Sequence, residues 1–376
     1  MRMAIFPVFG KNPSGKRLKR VEDSSNYSRD AFNNPEPTEL LLKGSSYFKM
    51  MREYWNKPKN TTPPVVIPSV RTDLRALPAD KPVIVWFGHS SYLLKVKGIH
   101  ILVDPVFSGH ASPVSFFGKS FPGTDVYGVD DLPEIDIVLL THDHYDHLDH
   151  ETILQLSGSG KARYFFTSLG VGSHLEYWGI SPERIVELDW WESGRYSPAK
   201  GPIRNGGVAG DEVAPGIGFA GEGEISLTAT PGRHFSGRSL HRNQTLWSSF
   251  VVKIAEHSFF LGGDSGYGKH FKKIGEQYGP FELAVLESGQ YGKNWPDIHM
   301  MPEQTVTATQ ELHARLLLPV HWCKFMLSVH AWDEPIRRLV KSAEEKKVRV
   351  TTPQIGEPVI LDSIIPQKKW WESISS

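Results

Sequence analysis

The chain has 376 residues, and its 42 lysine and arginine residues equal its 42 aspartate and glutamate residues, so no net positive field points to nucleic acid. The lone Cys323 excludes an internal disulfide framework, and no apolar run reaches the roughly 18 residues that a transmembrane helix needs. The apolar stretch before Lys11 is too short for a secretory signal, so we expect a cytoplasmic protein.

The N-terminal region is polar over residues 1–37 and carries a basic cluster at residues 16–20. Two interpretations stay open for it: an arm that wraps the body in contact with solvent, or a segment that contacts anionic lipid headgroups. A helix is predicted over residues 38–55, with Thr38 as its cap and a broad apolar face packed on the core. Proline-rich connecting chain follows over residues 57–82.

Three strands are predicted to open the main body, over residues 83–87, 91–96 and 100–103. His89 lies at the end of the first strand, where it either reaches a functional cleft or only hydrogen-bonds its neighbours. The loop that follows contains three phenylalanines, Phe116, Phe117 and Phe121. They predict either a lid or wall for an acyl chain, or rings that tuck into the core.

The densest cluster of ionisable residues follows the buried-strand pattern of residues 135–140. Three histidines and two aspartates lie within the seven positions 141–147. Imidazole and carboxylate are the usual ligands of cations such as Zn²⁺, and a strand end fixes their directions. This density of ionisable groups beside an apolar strand is costly unless a metal or a hydrogen-bond network compensates, so we predict a metal site.

The rest of the chain alternates predicted strands and helices. Asp149 is expected to cap a helix that ends at Gly158. The predicted strands are at 163–167, 184–188 and 225–230, expected as a further part of the same sheet, then 247–254, 258–261, 281–286, 314–320 and a closing strand at 348–352. The predicted helices are at 301–312 and 333–345. We divide the chain into an N-terminal extension (1–81), a main domain (82–362) and a tail (363–376).

The pattern His-x-His-x-Asp-His at 142–147 resembles the signature of the metallo-β-lactamase fold superfamily, whose members are mostly two-metal hydrolases. Its remaining ligands find ordered matches at three later strand ends, His234, Asp264 and His321. The resemblance implies an α/β fold, an αββα sandwich, after the N-terminal extension. It implies a first metal on His142, His144 and His234, a second on Asp146, His147 and His321, and Asp264 as the bridge. Zinc is the expected ion, with manganese and iron left open.

Within the superfamily, several segments resemble the N-acylphosphatidylethanolamine-hydrolysing phospholipase D group. These segments are 86–90, 104–107, 111–113, 245–250, 297–303 and 319–325. This resemblance implies a phosphodiesterase that cleaves a lipid or other small phosphodiester through a hydroxide bridging two metals. Asp146 and Asp264 would be catalytic, and Asp143 would support the metal loop. His299 would contact substrate or donate a proton, or else cap a helix or pack in the core.

The same residues would also fit other functions. A lactonase acting on small sugar-acid lactones would need the same metal ligands, and a non-catalytic scaffold is a third, weaker interpretation. Glu287, near the expected cleft, departs from the group's pattern and would disfavour an anionic ligand unless a cation balances it. Peripheral contact with a membrane surface and a homodimer are also left open, and no nucleic-acid partner is expected.

Overall fold

Two seven-stranded sheets form the body of the protein, and the computed structural model describes residues 7–204, 223–238 and 241–374. The strands of this described part are β1 Tyr27–Ser28, β2 Ala31–Phe32, β3 Val83–Trp86, β4 Tyr92–Val96, β5 Ile99–Val103, β6 Ile135–Leu140, β7 Ala162–Ser168, β8 Ile185–Leu188, β9 Ser193–Ser197, β10 Gly201–Arg204, β11 Ile225–Pro231, β12 Ser248–Ile254, β13 His257–Leu261, β14 Leu283–Glu287, β15 Leu317–Val320 and β16 Pro358–Ile360. The helices are α1 Gly15–Glu22, α2 Tyr47–Trp55, α3 His150–Gly158, α4 Gly172–Tyr177, α5 His270–Tyr278, α6 Pro302–Glu311 and α7 Glu334–Lys346. None of these described helices is long and apolar enough to cross a bilayer.

Each sheet is mixed. The first has the order β16-β3-β4-β5-β6-β7-β8, with parallel pairing from β5 to β8. The second has the order β10-β9-β11-β12-β13-β14-β15, with parallel pairing from β13 to β15. The expectation that the run at 225–230 extends the first sheet is therefore wrong, because β11 pairs with β9 and β12 in the second.

The two sheets pack face to face between outer helices. Alternate residues of the first sheet, such as Ile84 and Ile137, share a core cluster with Leu227 and Phe250 of the second sheet. The residues between them, such as Val85, pack in another cluster with side chains of α3 and α4. Helices α5, α6 and α7 contribute buried side chains against the second sheet. The layers are α/β/β/α, which confirms the predicted fold class.

The N-terminal region packs on the body. Arg17 of α1 forms ion pairs with Glu187 and Glu176, while Val21 and Phe32 are fully buried. Residues 7–37 thus wrap the body as the first interpretation expects: most of their side chains are exposed or half-buried, and Val21 and Phe32 are buried against the body.

The helix predicted from Thr38 begins only at Tyr47. Instead of capping a helix, the Thr38 hydroxyl donates to the carbonyl of Glu36, and the Leu42 amide donates to the carbonyl of Asn294. Gly44 adopts a φ of 89°, outside the helical region. The expected packing on the core is also wrong for the described side chains of α2, residues 50–55, none of which is buried.

Two further predictions concern residues 348–352 and the phenylalanine loop. The closing strand predicted at 348–352 is wrong: Val350 makes only an isolated bridge to Leu317 at the edge of the second sheet, and the Thr352 amide donates to the carbonyl of Pro366. The strand that closes the first sheet is β16. In the phenylalanine loop the core interpretation holds for one of the three rings. Phe121 is buried, whereas Phe116 and Phe117 are exposed.

Candidate metal centre

The ionisable residues converge because strands of like direction end at the same edge. In the first sheet β3, β5 and β6 run in one direction, and in the second β11, β13, β14 and β15 do. The residues that end or follow these strands are His89, Asp104, His142, His234, Asp264, Glu287 and His321. Side chains separated by up to 232 positions thus meet in one place.

The first group of candidate ligands is His142, His144, His234 and Asp264. His144 Nδ1 lies 2.9 Å from His142 Nε2 and 3.2 Å from His234 Nε2. Asp264 Oδ2 lies 3.8 Å from the Nε2 atoms of both His142 and His234. One ligand atom from each residue lies within 4.8 Å of the others, so these four side chains can hold one cation.

The second group is His89, Asp146, His147 and His321. Three of these are the predicted ligands of the second metal, and His89 joins them. Its ring is fully buried, and its Nε2 lies 2.9 Å from Asp146 Oδ2. His89 and His321 both adopt positive φ angles, 50° and 67°, a strained backbone that the surrounding contacts must hold. The structure therefore places His89 at the cluster itself.

Asp264 lies between the two groups. Its Oδ2 is 3.2 Å from His147 Nε2, and its Oδ1 is 3.1 Å from His321 Nδ1. Within the described part of the chain, neither Asp264 Oδ1 nor His147 Nε2 has a hydrogen-bond partner. Buried polar atoms that approach closely without hydrogen-bond geometry are costly unless something else satisfies them. A divalent cation between them would do so, and the histidine and carboxylate donors fit one.

The protonation states also fit a cation. Burial holds the pKa of His142, His234 and His321 well below the usual value, so these rings are neutral at neutral pH and able to bind a metal. Burial alone would lower the pKa of His147, but the nearby carboxylates, Asp264 foremost, raise it well above the usual value. This excess of buried negative charge is what a divalent cation would offset.

Asp104 orients the metal loop, and sequence reasoning assigned it no role. It is buried after β5, where its carboxylate accepts from the Thr141 amide and hydroxyl at 2.9 and 2.7 Å and lies 2.8 Å from His147 Nδ1. This leaves His147 Nε2 to face Asp264. The signal in the sequence was the Asp-Pro corner that ends a strand. A carboxylate behind a ligating histidine fixes its ring orientation.

Glu287 and His299 form a buried pair beside Asp264. His299 Nδ1 lies 2.9 Å from Glu287 Oε2, while Glu287 Oε1 accepts from the amides of Ser265 and Met300. Burial raises the pKa of Glu287 to about 7, and the Glu287 carboxylate raises the pKa of His299 to about 9 although burial alone would lower it. The charge on Glu287 is thus balanced by His299 instead of facing an incoming ligand.

Asp143 points away from the candidate ligands. Its carboxylate accepts from the Gly237 amide at 2.8 Å and the Thr245 hydroxyl at 3.1 Å. Burial would raise its pKa, but His174 and His144 with the Gly237 amide lower it to about 2. The residue ties the metal loop to the loop after β11.

An open cleft of about 430 Å³ leads to these groups. Its polar lining includes His144, Asp146, Asp264, His299 and Arg242. Its apolar lining is Ala111, Phe235, Trp295, Ile298 and Leu327. A ligand with both a charged and an apolar part fits this lining.

Known proteins resemble this chain over most of its length. A family model described as the beta-lactamase superfamily domain matches residues 100–322. An uncharacterized protein of Mycobacterium tuberculosis is 36% identical over 354 residues, which cover 93% of this chain and 88% of that protein. The N-acyl-phosphatidylethanolamine-hydrolyzing phospholipase D 1 of Caenorhabditis elegans is 28% identical over 284 residues, covering 72% of this chain and 74% of its own length.

A solved structure shares the fold. Igni18, a novel metallo hydrolase from the hyperthermophilic archaeon Ignicoccus hospitalis, superposes with a TM-score of 0.52 at 20% sequence identity. The match covers 76% of this chain and 100% of that one. The family model and these relatives confirm the predicted superfamily resemblance.

Proposed function

This chain belongs to the metallo-β-lactamase superfamily and is a metal-dependent hydrolase, and we propose that it is a phosphodiesterase of phospholipase D type acting on N-acylphosphatidylethanolamine-like lipids. The observation that carries this proposal is a pair of ligand groups, with Asp264 in the first and within 3.2 Å of His147 and His321 of the second, at one cleft with a partly apolar lining. The similarity to the Caenorhabditis elegans phospholipase supports the same substrate class.

Two divalent ions, zinc first and manganese or iron as alternatives, suit the two groups. His142, His144 and His234 would hold one, Asp146, His147 and His321 the other, with Asp264 shared. Bound there, such ions lower the pKa of water and offset negative charge that grows on the phosphoryl oxygens.

Asp146 would orient the attacking water. Although burial alone would raise its pKa, His147 and His89 hold the pKa of Asp146 well below the usual value, so the carboxylate is ionised and able to accept a hydrogen bond. His89 Nε2, 2.9 Å away, fixes the direction of this carboxylate. The ionised form is also the one that the mechanism requires of a metal ligand.

His299 would donate a proton to the leaving group. Its Nδ1 faces Glu287, so Nε2 is the nitrogen that remains for a molecule in the cleft that His299 lines. A proton on His299, which Glu287 stabilises, would pass to the alkoxide oxygen released when the phosphorus–oxygen bond breaks. The products would be phosphatidic acid and an N-acylethanolamine.

The test is hydrolysis of N-acylphosphatidylethanolamine in mixed micelles by protein reconstituted with zinc or manganese. We expect phosphatidic acid and N-acylethanolamine in equal amounts, and Asp264→Asn should abolish their release. A panel of small lactones is assayed beside the lipid. Lactone opening without lipid cleavage would replace the proposal by the lactonase alternative, which needs the same ligands.

A further inference from the structure

The candidate ligand His234 lies in a loop whose backbone the sheet does not hold. Strand β11 ends at Pro231, before this loop begins. Within the described part of the chain, no backbone group bonds to the amide or the carbonyl of His234. Its ring is oriented by the carbonyl oxygen of Ile298, 2.9 Å from Nδ1, which leaves Nε2 for a cation. The place of this ring in the first ligand group therefore depends on what holds the two peptide groups of His234.

The side chain of Asn34, in the N-terminal extension, holds both of these groups. Its Nδ2 donates to the carbonyl oxygen of His234 at 2.7 Å, and its Oδ1 accepts from the His234 amide at 3.1 Å. An asparagine side chain offers a donor and an acceptor side by side, which is what this pair of bonds requires. His234 is buried, and buried backbone groups are costly to leave without partners, so the two bonds fix the backbone of this ligand.

The chain on either side of this asparagine is anchored to the same loop. Before it, Phe32 is fully buried, and its amide donates to the carbonyl of Asn243 at 2.9 Å. After it, the carbonyl of Pro37 accepts at 2.7 Å from the guanidinium of Arg233, the residue that precedes the histidine. Because both flanks bond to the loop after β11, the amide group of the asparagine is held in place beside the ligand.

We propose that Asn34 is a positioning residue of the metal centre: by holding the backbone of His234, it places the Nε2 atom of that ring for the first metal. The N-terminal extension is then a part of the centre, although every candidate ligand lies in the main domain. Because the bonds of Asn34 reach a ligand of the first group, its effect falls on the first metal and not on the second. The proposal rests on the metal centre and holds for any substrate that the cleft accepts.

The experiment loads the full-length protein with Co²⁺, whose visible absorption reports its coordination geometry, and follows removal of the ions by a chelator. We expect Asn34→Ala to weaken the binding of one of the two ions about tenfold and to leave the affinity for the other near that of the parent protein. The absorption of the weakened ion should also change, because the His234 ring moves. Asn33→Ala is the matched control. The side chain of this neighbouring asparagine bonds to Ser28 and Ala31 in its own turn, so the variant should bind both ions like the parent.

Three results would overturn the proposal. A loss of stability alone would weaken both ions alike and leave the absorption of the bound ions unchanged. Equal binding of both ions by Asn34→Ala and Asn33→Ala would show that the two bonds do not position the ligand. A parent protein that takes up no Co²⁺ would remove the metal centre itself. Because no substrate is present, a failure of lipid hydrolysis would refute the proposed function and leave this proposal standing.

A second pair of variants applies if Asn34→Ala does not fold. Asn34→Asp keeps the acceptor for the His234 amide and loses the donor to its carbonyl, while Asn33→Asp adds the same charge at the neighbouring position. We expect Asn34→Asp to bind one ion more weakly than Asn33→Asp does. Equal affinities of these two variants for both ions would overturn the proposal as well.

Discussion

The two halves of the candidate metal centre are held in different ways. The half that follows β6 is fixed by side-chain hydrogen bonds, with Asp104 behind Thr141 and His147. The half that the second sheet supplies depends on close backbone packing and on single contacts, such as His234 Nδ1 to the carbonyl of Ile298. Its Asp264 Oδ1 has no hydrogen-bond partner among the described residues. The first half is therefore oriented mainly by hydrogen bonds and the second mainly by packing, and each leaves an atom, His147 Nε2 and Asp264 Oδ1, that a cation would satisfy.

The largest expected effect comes from Asp264→Asn, which removes the charge that both halves share. We expect metal content and turnover to fall by more than about 100-fold. A residue that only supports a ligand from behind costs up to about 100-fold when it is changed, and Asp264 would bind the metal directly. The fold should survive, since the change removes a buried charge without changing side-chain volume. Elemental analysis and a turnover assay measure this. Asp297→Asn, which removes a carboxylate paired with Arg233, is the control and should retain metal. Full metal content in Asp264→Asn would refute the shared-ligand assignment.

Gly289→Ala tests the backbone packing of the second half. A Cβ atom at Gly289 would overlap the carbonyl oxygen of His321, so the backbone that positions this histidine must shift. We expect the free energy of unfolding to fall by about 1–3 kcal/mol, with weaker metal binding. Thermal unfolding and a chelator competition measure both. Gly128→Ala, where no atom lies within 4 Å of the added Cβ, should change neither, and equal stability of the two variants would contradict the packing argument.

Asp104→Asn tests the hydrogen-bonded half. An amide cannot accept from the Thr141 amide, the Thr141 hydroxyl and His147 Nδ1 as the carboxylate does, so the His147 ring loses its fixed orientation. We expect metal affinity to fall about 10- to 100-fold, measured by competition with a chelator. Asp149→Asn changes another buried carboxylate, the cap of α3, and should leave affinity unchanged. If both variants bind metal equally, Asp104 does not orient His147.

The smallest effect is a shift in pH dependence. Burial raises the pKa of Glu287 to about 7, and its carboxylate raises the pKa of His299 to about 9, so the charged pair forms between these two values and its contribution to stability is lost as the pH rises through 9. Activity that needs protonated His299 should fall over the same alkaline range. Glu287→Gln should move that fall to lower pH, whereas Glu282→Gln, which changes the separate His257 pair, should not. An unmoved alkaline limb in Glu287→Gln would exclude His299 as the proton donor.

The sequence predicted the hydrogen-bonded half better than the packed half. The metal loop is local: a buried strand and seven following positions suffice to recognise it. His234, Asp264 and His321 were identified only by resemblance, since nothing in their local patterns shows that three strand ends meet. The Glu287–His299 pair was not predicted for the same reason, because it joins the end of β14 to the segment before α6.

The fold shows the same division. The capped helix α3 and the hairpin of β12 and β13 follow from local patterns, and the structure has them. The start of α2 does not, because the amides of Glu39 and Leu42 bond to Asp297 and Asn294, far along the chain. Nor does β16, whose three residues give too short a pattern to recognise.

The pairing of β16 with β3 also determines when the first sheet can be completed during synthesis. These partners are separated by about 275 residues, so β3 has left the ribosome roughly a quarter of a minute to a minute before β16 exists. Until then β3 presents an open edge, the state in which strands pair with other chains. His321 also follows β3 by about 235 residues, so the first sheet and the second ligand group are completed only after the strands of the second sheet have been synthesised. A translational pause or a premature stop between His321 and β16 would thus yield chains that contain all candidate ligands but leave the edge of β3 unpaired and prone to aggregation.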